Sequence, residues 1–222
     1  MKRTLISIGI ATLVLTLAAP AEAGESGWRL RLVATGFDPS LDETVQNDDG
    51  DDILITSGTD LGFGAGLEYR INRRLGIEGG VLRGSPPVDL AAEVPGYGTL
   101  TLSEPMSVRE ILVEVDLHLT PDSTSFDVYL SGGVAMLTYG DITYRIPEFD
   151  QELDLRILDD TGWTVRAGVD ISFGADSAWA ATGAIRYTDG QLEINDRDEA
   201  PNDFTTFDYG LFHFTVGIAF SF

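Results

Sequence analysis

The last sixteen residues, Phe207-Asp-Tyr-Gly-Leu-Phe-His-Phe-Thr-Val-Gly-Ile-Ala-Phe-Ser-Phe222, decide the fold. Phe212, Phe214, Val216, Ile218, Phe220 and Phe222 fall on one face, and His213, Thr215, Gly217, Ala219 and Ser221 on the other. Strict alternation of this kind belongs to a β-strand. The apolar face is continuous and aromatic, whereas the other is small or polar. A strand with that polarity faces lipid on one side and the interior of a closed barrel on the other.

The same test, alternation bounded by turn residues, finds seven more strands upstream. They are Trp28–Gly36, Asp60–Arg70, Leu75–Arg83, Val108–Leu119, Phe126–Tyr139, Trp163–Phe173 and Trp179–Thr188. In the first, Trp28, Leu30, Leu32 and Ala34 face out while Arg29 and Arg31 face in. In the fourth, Ile111, Val113, Val115 and Leu117 alternate with Glu110, Leu112, Glu114 and Asp116, and acids so placed cannot face lipid.

Connections after strands two, four and six are short, for example Ile71–Arg74. Those after strands one, three, five and seven are long: Phe37–Thr59, Gly84–Ser107, Gly140–Gly162 and Asp189–Thr206. This asymmetry predicts an all-β fold, an eight-stranded antiparallel transmembrane up-and-down β-barrel with short periplasmic turns and long acidic extracellular loops. A soluble eight-stranded barrel would instead place its large apolar residues inside. Here they share a face with Trp and Tyr, while arginines and acids share the other.

Residues 1–23 read as a cleaved signal peptide: Lys2 and Arg3, the apolar run Leu5–Ala19, then Ala21-Glu-Ala23. The barrel domain is accordingly expected over 24–222, in the cell outer membrane after export through the inner membrane. The chain has no cysteine, so disulfides and thiol chemistry are excluded. A formal charge of −22, with Lys2 the only lysine, argues against a nucleic-acid partner.

With the strands placed, the chain resembles the OmpW-like family of small eight-stranded outer-membrane barrels. The likeness rests on Trp28-Arg-Leu-Arg-Leu32 before an aspartate-rich loop, Thr59-Asp-Leu-Gly-Phe-Gly-Ala-Gly-Leu-Glu-Tyr69, Arg74-Leu-Gly-Ile-Glu-Gly79, Val128-Tyr-Leu-Ser-Gly-Gly-Val-Ala-Met136, Trp163-Thr-Val-Arg-Ala-Gly-Val-Asp170 and the aromatic end. It differs from the family pattern at Gly84-Ser-Pro-Pro-Val-Asp89 and Ser107-Val-Arg-Glu-Ile-Leu112. The resemblance implies a narrow channel or transporter for small hydrophobic molecules with a lateral exit. The alternative is a non-conducting structural or surface-interaction barrel that acts through its acidic loops. Phe220 and Phe222 resemble the terminal signal that such barrels present to the barrel-assembly machinery.

The interior set Arg29, Arg31, Glu68, Glu78, Glu110, Glu114, Asp116, Arg166, Asp170 and Arg186 is expected to form a network of paired charges, since each buried charge needs a partner. The acids of Asn47-Asp-Asp-Gly-Asp-Asp52, namely Asp48, Asp49, Asp51 and Asp52, are candidates for weak collective binding of divalent cations, although EF-hand spacing is missing. A solvated acidic surface is the alternative. No cofactor is expected. Arg83 and Arg109, at the outer ends of adjacent strands, are candidates for contact with outer-membrane lipid and lipopolysaccharide phosphates. His118 and His213 lie in no catalytic pattern, so no enzymatic activity is expected.

Overall fold

The computed structural model describes residues 27–46, 52–94, 98–123, 125–146, 151–174, 177–196 and 205–222. The proposed leader, and Asp48, Asp49 and Asp51 among the proposed cation ligands, lie outside them. Among the described residues there are fourteen strands. Eight form the closed barrel: β1 (Gly27–Pro39), β4 (Asp60–Arg70), β5 (Leu75–Gly84), β8 (Val108–His118), β9 (Phe126–Tyr139), β12 (Asp160–Ser172), β13 (Trp179–Asp196) and β14 (Thr205–Ser221). Each pairs antiparallel with the next, and β14 returns to β1 with Leu30 opposite Phe220 and Thr35 opposite Thr215. At the end of this seam the Trp28 and Phe222 backbones exchange hydrogen bonds, 3.0 Å from Trp28 N to Phe222 O and 2.9 Å in return.

The polarity of the wall is the one read from the alternation. Leu61, Phe63, Phe214 and Val216 are exposed at 83, 68, 60 and 66%, an apolar surface that only lipid can cover. Inward positions carry glycine where a neighbour needs the space. A Cβ on Gly168 would lie 2.4 Å from the Tyr129 ring, and one on Gly66 would lie 2.5 Å from Glu78 Oε1. The short connections are held by side-chain acceptors: Asn72 Oδ1 takes the Arg74 and Leu75 amides at 2.8 and 3.0 Å, and Thr120 Oγ1 takes the Val128 amide at 2.8 Å.

The long acidic connections have secondary structure of their own, which their charge did not reveal. They carry six further strands: β2 (Asp42–Gln46), β3 (Asp52–Ser57), β6 (Pro87–Val94), β7 (Gly98–Pro105), β10 (Ile142–Ile146) and β11 (Gln151–Ile157). The first four form a separate sheet in the order β2-β3-β6-β7, and β10 and β11 add to the extended end of β13. Alternation again supplies the reason. In β10, Ile142 and Tyr144 are buried while Thr143 and Arg145 are exposed; in β3, Ile55 is buried between partly or fully exposed neighbours. Asp42, Asp52, Glu93 and Glu152 are exposed on these hairpins, whose apolar residues join one buried cluster. Counting charges hid this, because each hairpin is only about half apolar. For the same reason β13 runs to Asp196 rather than stopping at Thr188.

Candidate functional site: an apolar chamber above a charged interior

The interior is layered. In the half towards the short turns, five guanidiniums meet six carboxylates. Arg31 pairs with Glu78, with Glu68 and Asp170 at 2.9 Å, and more distantly with Asp116 at 3.9 Å. Arg166 reaches Glu78 at 2.7 Å, Asp116 at 3.0 Å and Glu114 at 3.2 Å. Arg186 holds Glu114 with two donors, at 2.8 and 3.2 Å. Arg29 contacts Asp170 at 2.5 Å and Asp127 at 3.3 Å, and Arg70 contacts Glu68 at 3.2 Å and also Asp127. Tyr129 lies between Arg31 and Arg166, whose guanidinium carbons are 4.8 and 5.1 Å from its ring centre.

Of the ten interior residues read from the sequence, nine meet here. Glu110 stands apart: it is fully buried and pairs with His213 at 3.2 Å. Three members of the network were not in that set. Arg70 closes its strand, Asp127 opens one, and His118 sits beside them with Nε2 at 2.8 Å from Glu68 and Nδ1 at 2.9 Å from Asp127. Their inward parity was legible, but their meeting depends on the β8–β9 register that sets His118 opposite Tyr129. Both ring nitrogens face carboxylates, and Arg70 Nη2 also lies 3.1 Å from Nδ1.

Glu68, Asp116 and His118 also place ligand atoms within 4.8 Å of one another. They do not fit a metal site, because Arg31 already lies against Glu68 and Arg166 against Asp116, and both His118 nitrogens are engaged. Neither histidine contacts a hydroxyl nucleophile among the described residues; their hydrogen-bond partners are carboxylates and Arg70. Asp52 is the first residue of β3, opposite Gln46. The cavity between Arg31, Glu78, Tyr129 and Arg166 below and Leu82 and Leu112 above has a volume of about 20 Å³. That is room for roughly one water molecule.

Above it the interior turns apolar. Phe37, Leu82, Val108, Leu112, Leu137 and Leu211 are buried in one cluster, and Phe37 packs edge-on against His213 with ring centres 4.7 Å apart. The same cluster continues into the hairpins through Ile55, Val88, Met106, Tyr144, Ile157 and Phe207. Between them lies a chamber of about 310 Å³, whose wall is aliphatic and aromatic apart from Asn195 and Thr205. Tyr144 braces its rim by donating a hydrogen bond to Val88 O at 2.9 Å, and burial pushes its phenol well above the usual tyrosine range. A separate depression in the outer wall is lined by Gly36, Phe37, Asp38, Asp60, Leu61 and Phe214. Phe37 thus belongs both to the apolar cluster and to a recess that opens outward. The chamber residues are hard to see in the sequence because acids dominate the connections that carry them. The signal that finds them is the inward pair Ile53 and Ile55 followed by Val88, Leu90, Leu153 and Leu155 at the same parity.

At the turn end Phe220 and Phe222 stack with centres 5.8 Å apart, and Trp179 lies 4.6 Å from Phe220. On the outer face Arg83 of β5 stands directly opposite Arg109 of β8, both exposed.

Comparison with known proteins agrees with the architecture. Among solved structures, the chain is similar to the outer membrane protein OprG from Pseudomonas aeruginosa, with 14% identity, a TM-score of 0.62, and 90% of this chain and 97% of that one covered. It is similar to AlkL, solved in DMPC lipid bilayers, at 16% identity, TM-score 0.60, and 92 and 94% coverage. Neisserial surface protein A follows with 12% identity, TM-score 0.53, and 89 and 99% coverage. No curated protein matches by sequence. The expected small eight-stranded outer-membrane barrel is therefore the fold found, and with a family model for the outer membrane protein beta-barrel domain matching residues 9–220, the chain belongs to that family of outer-membrane barrels.

Proposed function

We propose that the barrel takes up small apolar molecules at the cell surface and releases them sideways into the membrane, without catalysis. The observation that carries this reading is the 310 Å³ apolar chamber held by the hairpins over an interior that the charge network closes. A chamber of that volume is at the lower end of the range that holds small ligands. An apolar solute resting there has no route down. Passage through the charged layer would require it to separate buried ion pairs, and leaving one partner unpaired costs about 3–5 kcal/mol each time. The recess beside Gly36 and Phe37 is the exit this reading assigns, since Phe37 belongs both to the apolar cluster and to that recess in the outer wall.

The test places a charge in the chamber. Leu192→Asp puts a carboxylate at a fully buried position of the chamber wall, beyond the lipid-facing part of β13. Uptake of a small aromatic hydrocarbon by vesicles holding the refolded variant is expected to fall to the level of empty vesicles, while the shift in gel mobility between heated and unheated samples shows a folded barrel. Uptake equal to that of the unaltered chain would overturn the chamber as the entry site and favour a structural or surface-interaction role.

A further inference from the structure

We propose that Arg83 and Arg109 form a binding site for the phosphomonoester of a glycolipid headgroup in the outer leaflet. The site follows from three observations. The β5–β8 register sets the two arginines directly opposite each other on the exposed face of the wall. Cross-strand Cβ atoms lie about 4.5–5.5 Å apart, so like charges there repel unless an anion lies between them. Among the described residues neither guanidinium has an ion-pair or hydrogen-bond partner, in a chain whose acids outnumber its basic residues by 36 to 14. Every other arginine on the barrel strands, Arg29, Arg31, Arg70, Arg166 and Arg186, is paired with carboxylates inside.

The surroundings define the ligand. Towards the turns, the outward residues below the pair are Val81 and Ile111, then Gly79 and Val113, then Ile77 and Val115, an uncharged column. Phe63 lies beside Arg83, and Met136 is one step below on β9, opposite Ile111; they are 68 and 56% exposed. Eight residues separate Leu75 from Arg83, about 27 Å along the strand and about 20 Å along the barrel axis at the usual tilt. The pair therefore crowns the apolar band at its outer edge, where headgroups meet acyl chains. Two adjacent guanidinium forks offer two bidentate donors, which suits a doubly charged phosphomonoester better than the singly charged phosphodiester of a glycerophospholipid. The apolar column takes the acyl chains of the same molecule.

The experiment uses the full refolded barrel in mild detergent. Lipid A, its dephosphorylated form and phosphatidylglycerol are supplied in turn, and retained lipid is read by native mass spectrometry. Lipid A is expected to be retained at one site, and dephosphorylated lipid A and phosphatidylglycerol much less. Replacing Arg83→Gln or Arg109→Gln is expected to weaken retention by about tenfold each. The double Lys variant, which keeps charge but loses the fork, is expected to fall between the unaltered chain and the double Gln variant. Millimolar inorganic phosphate is expected to leave lipid A bound, because it brings no chains to the column. Equal retention by the unaltered and double Gln barrels, equal retention of phosphatidylglycerol and lipid A, or displacement by free phosphate would each overturn the proposal. None of these outcomes bears on the chamber.

Discussion

Replacing Arg166 with methionine tests the charge network where its connections are densest. Arg166 is 7% exposed and is the shared cation of Glu78, Asp116 and Glu114. The three acids differ in what they retain after its loss. Glu114 keeps Arg186 with two donors, and Glu78 keeps Arg31. Asp116 keeps only Arg31 at 3.9 Å, and its Oδ2 already has no hydrogen-bond partner. Arg166→Met therefore strands one buried carboxylate, and the expected loss is about 3–5 kcal/mol of unfolding free energy. Arg186→Met is expected to lose less, because its partner Glu114 remains bonded to Arg166. Adding Asp116→Asn to Arg166→Met removes the stranded charge and is expected to recover about 1–3 kcal/mol, the coupling seen for residues in one network. The assay is urea unfolding of the barrel in phospholipid vesicles at neutral pH, followed by tryptophan fluorescence. An Arg166→Met barrel within about 1 kcal/mol of the unaltered chain, the range of exposed ion pairs, would show that Asp116 is not stranded by the loss. So would an Asp116→Asn addition that recovers nothing.

Gly168→Ala is expected to destabilise the barrel by about 1–3 kcal/mol, since the new methyl would meet the Tyr129 ring at 2.4 Å; the same unfolding assay reads it, and Tyr129→Ala should relieve it. Tyr144 makes the hairpins sensitive to alkali. Its phenol is raised by burial, so the folded state holds a proton that the unfolded chain releases above pH about 10, and stability falls from there upward. Hydrogen exchange of the hairpin amides should accelerate above that pH in the unaltered chain and less so in Tyr144→Phe. Phe222→Ala removes a side chain that is 65% exposed, so refolding into vesicles should change little, while the yield of folded barrel in cells should drop if the terminal aromatic is read during assembly. Equal losses in vesicles and cells would locate its role in stability instead.

The barrel was legible because lipid imposes a rule that each strand obeys separately: apolar out, small or polar in. The terminal strand shows it alone, and the bounds of β4 and β9 were read to the residue. The hairpins obey the same alternation, but water covers their outer faces, so acids such as Glu152 and exposed arginines such as Arg145 masked the inner Ile142 and Tyr144. The interior charges were legible by parity. Their partners were not, because pairing depends on register summed around eight strands. Glu110 meets His213 from the far side of the barrel rather than an arginine, and Arg31 reaches Asp170, 139 residues away. Arg70 and Asp127 have inward parity too, and what the sequence hides is their meeting at His118, which the β8–β9 register sets. The outward parity of Arg83 and Arg109 was visible, whereas their direct opposition requires the β5–β8 register.

In the proposed function an apolar chamber opens to the surface above an interior closed to ions. Vesicles containing the refolded chain, loaded with a potassium-sensitive dye and exposed together to potassium and a small aromatic hydrocarbon, test both parts at once. Hydrocarbon uptake is expected to be faster than in empty vesicles, with potassium flux no greater than theirs. Potassium entry through a correctly folded barrel would contradict a closed interior and point to a polar pore among Arg31, Glu78 and Arg166.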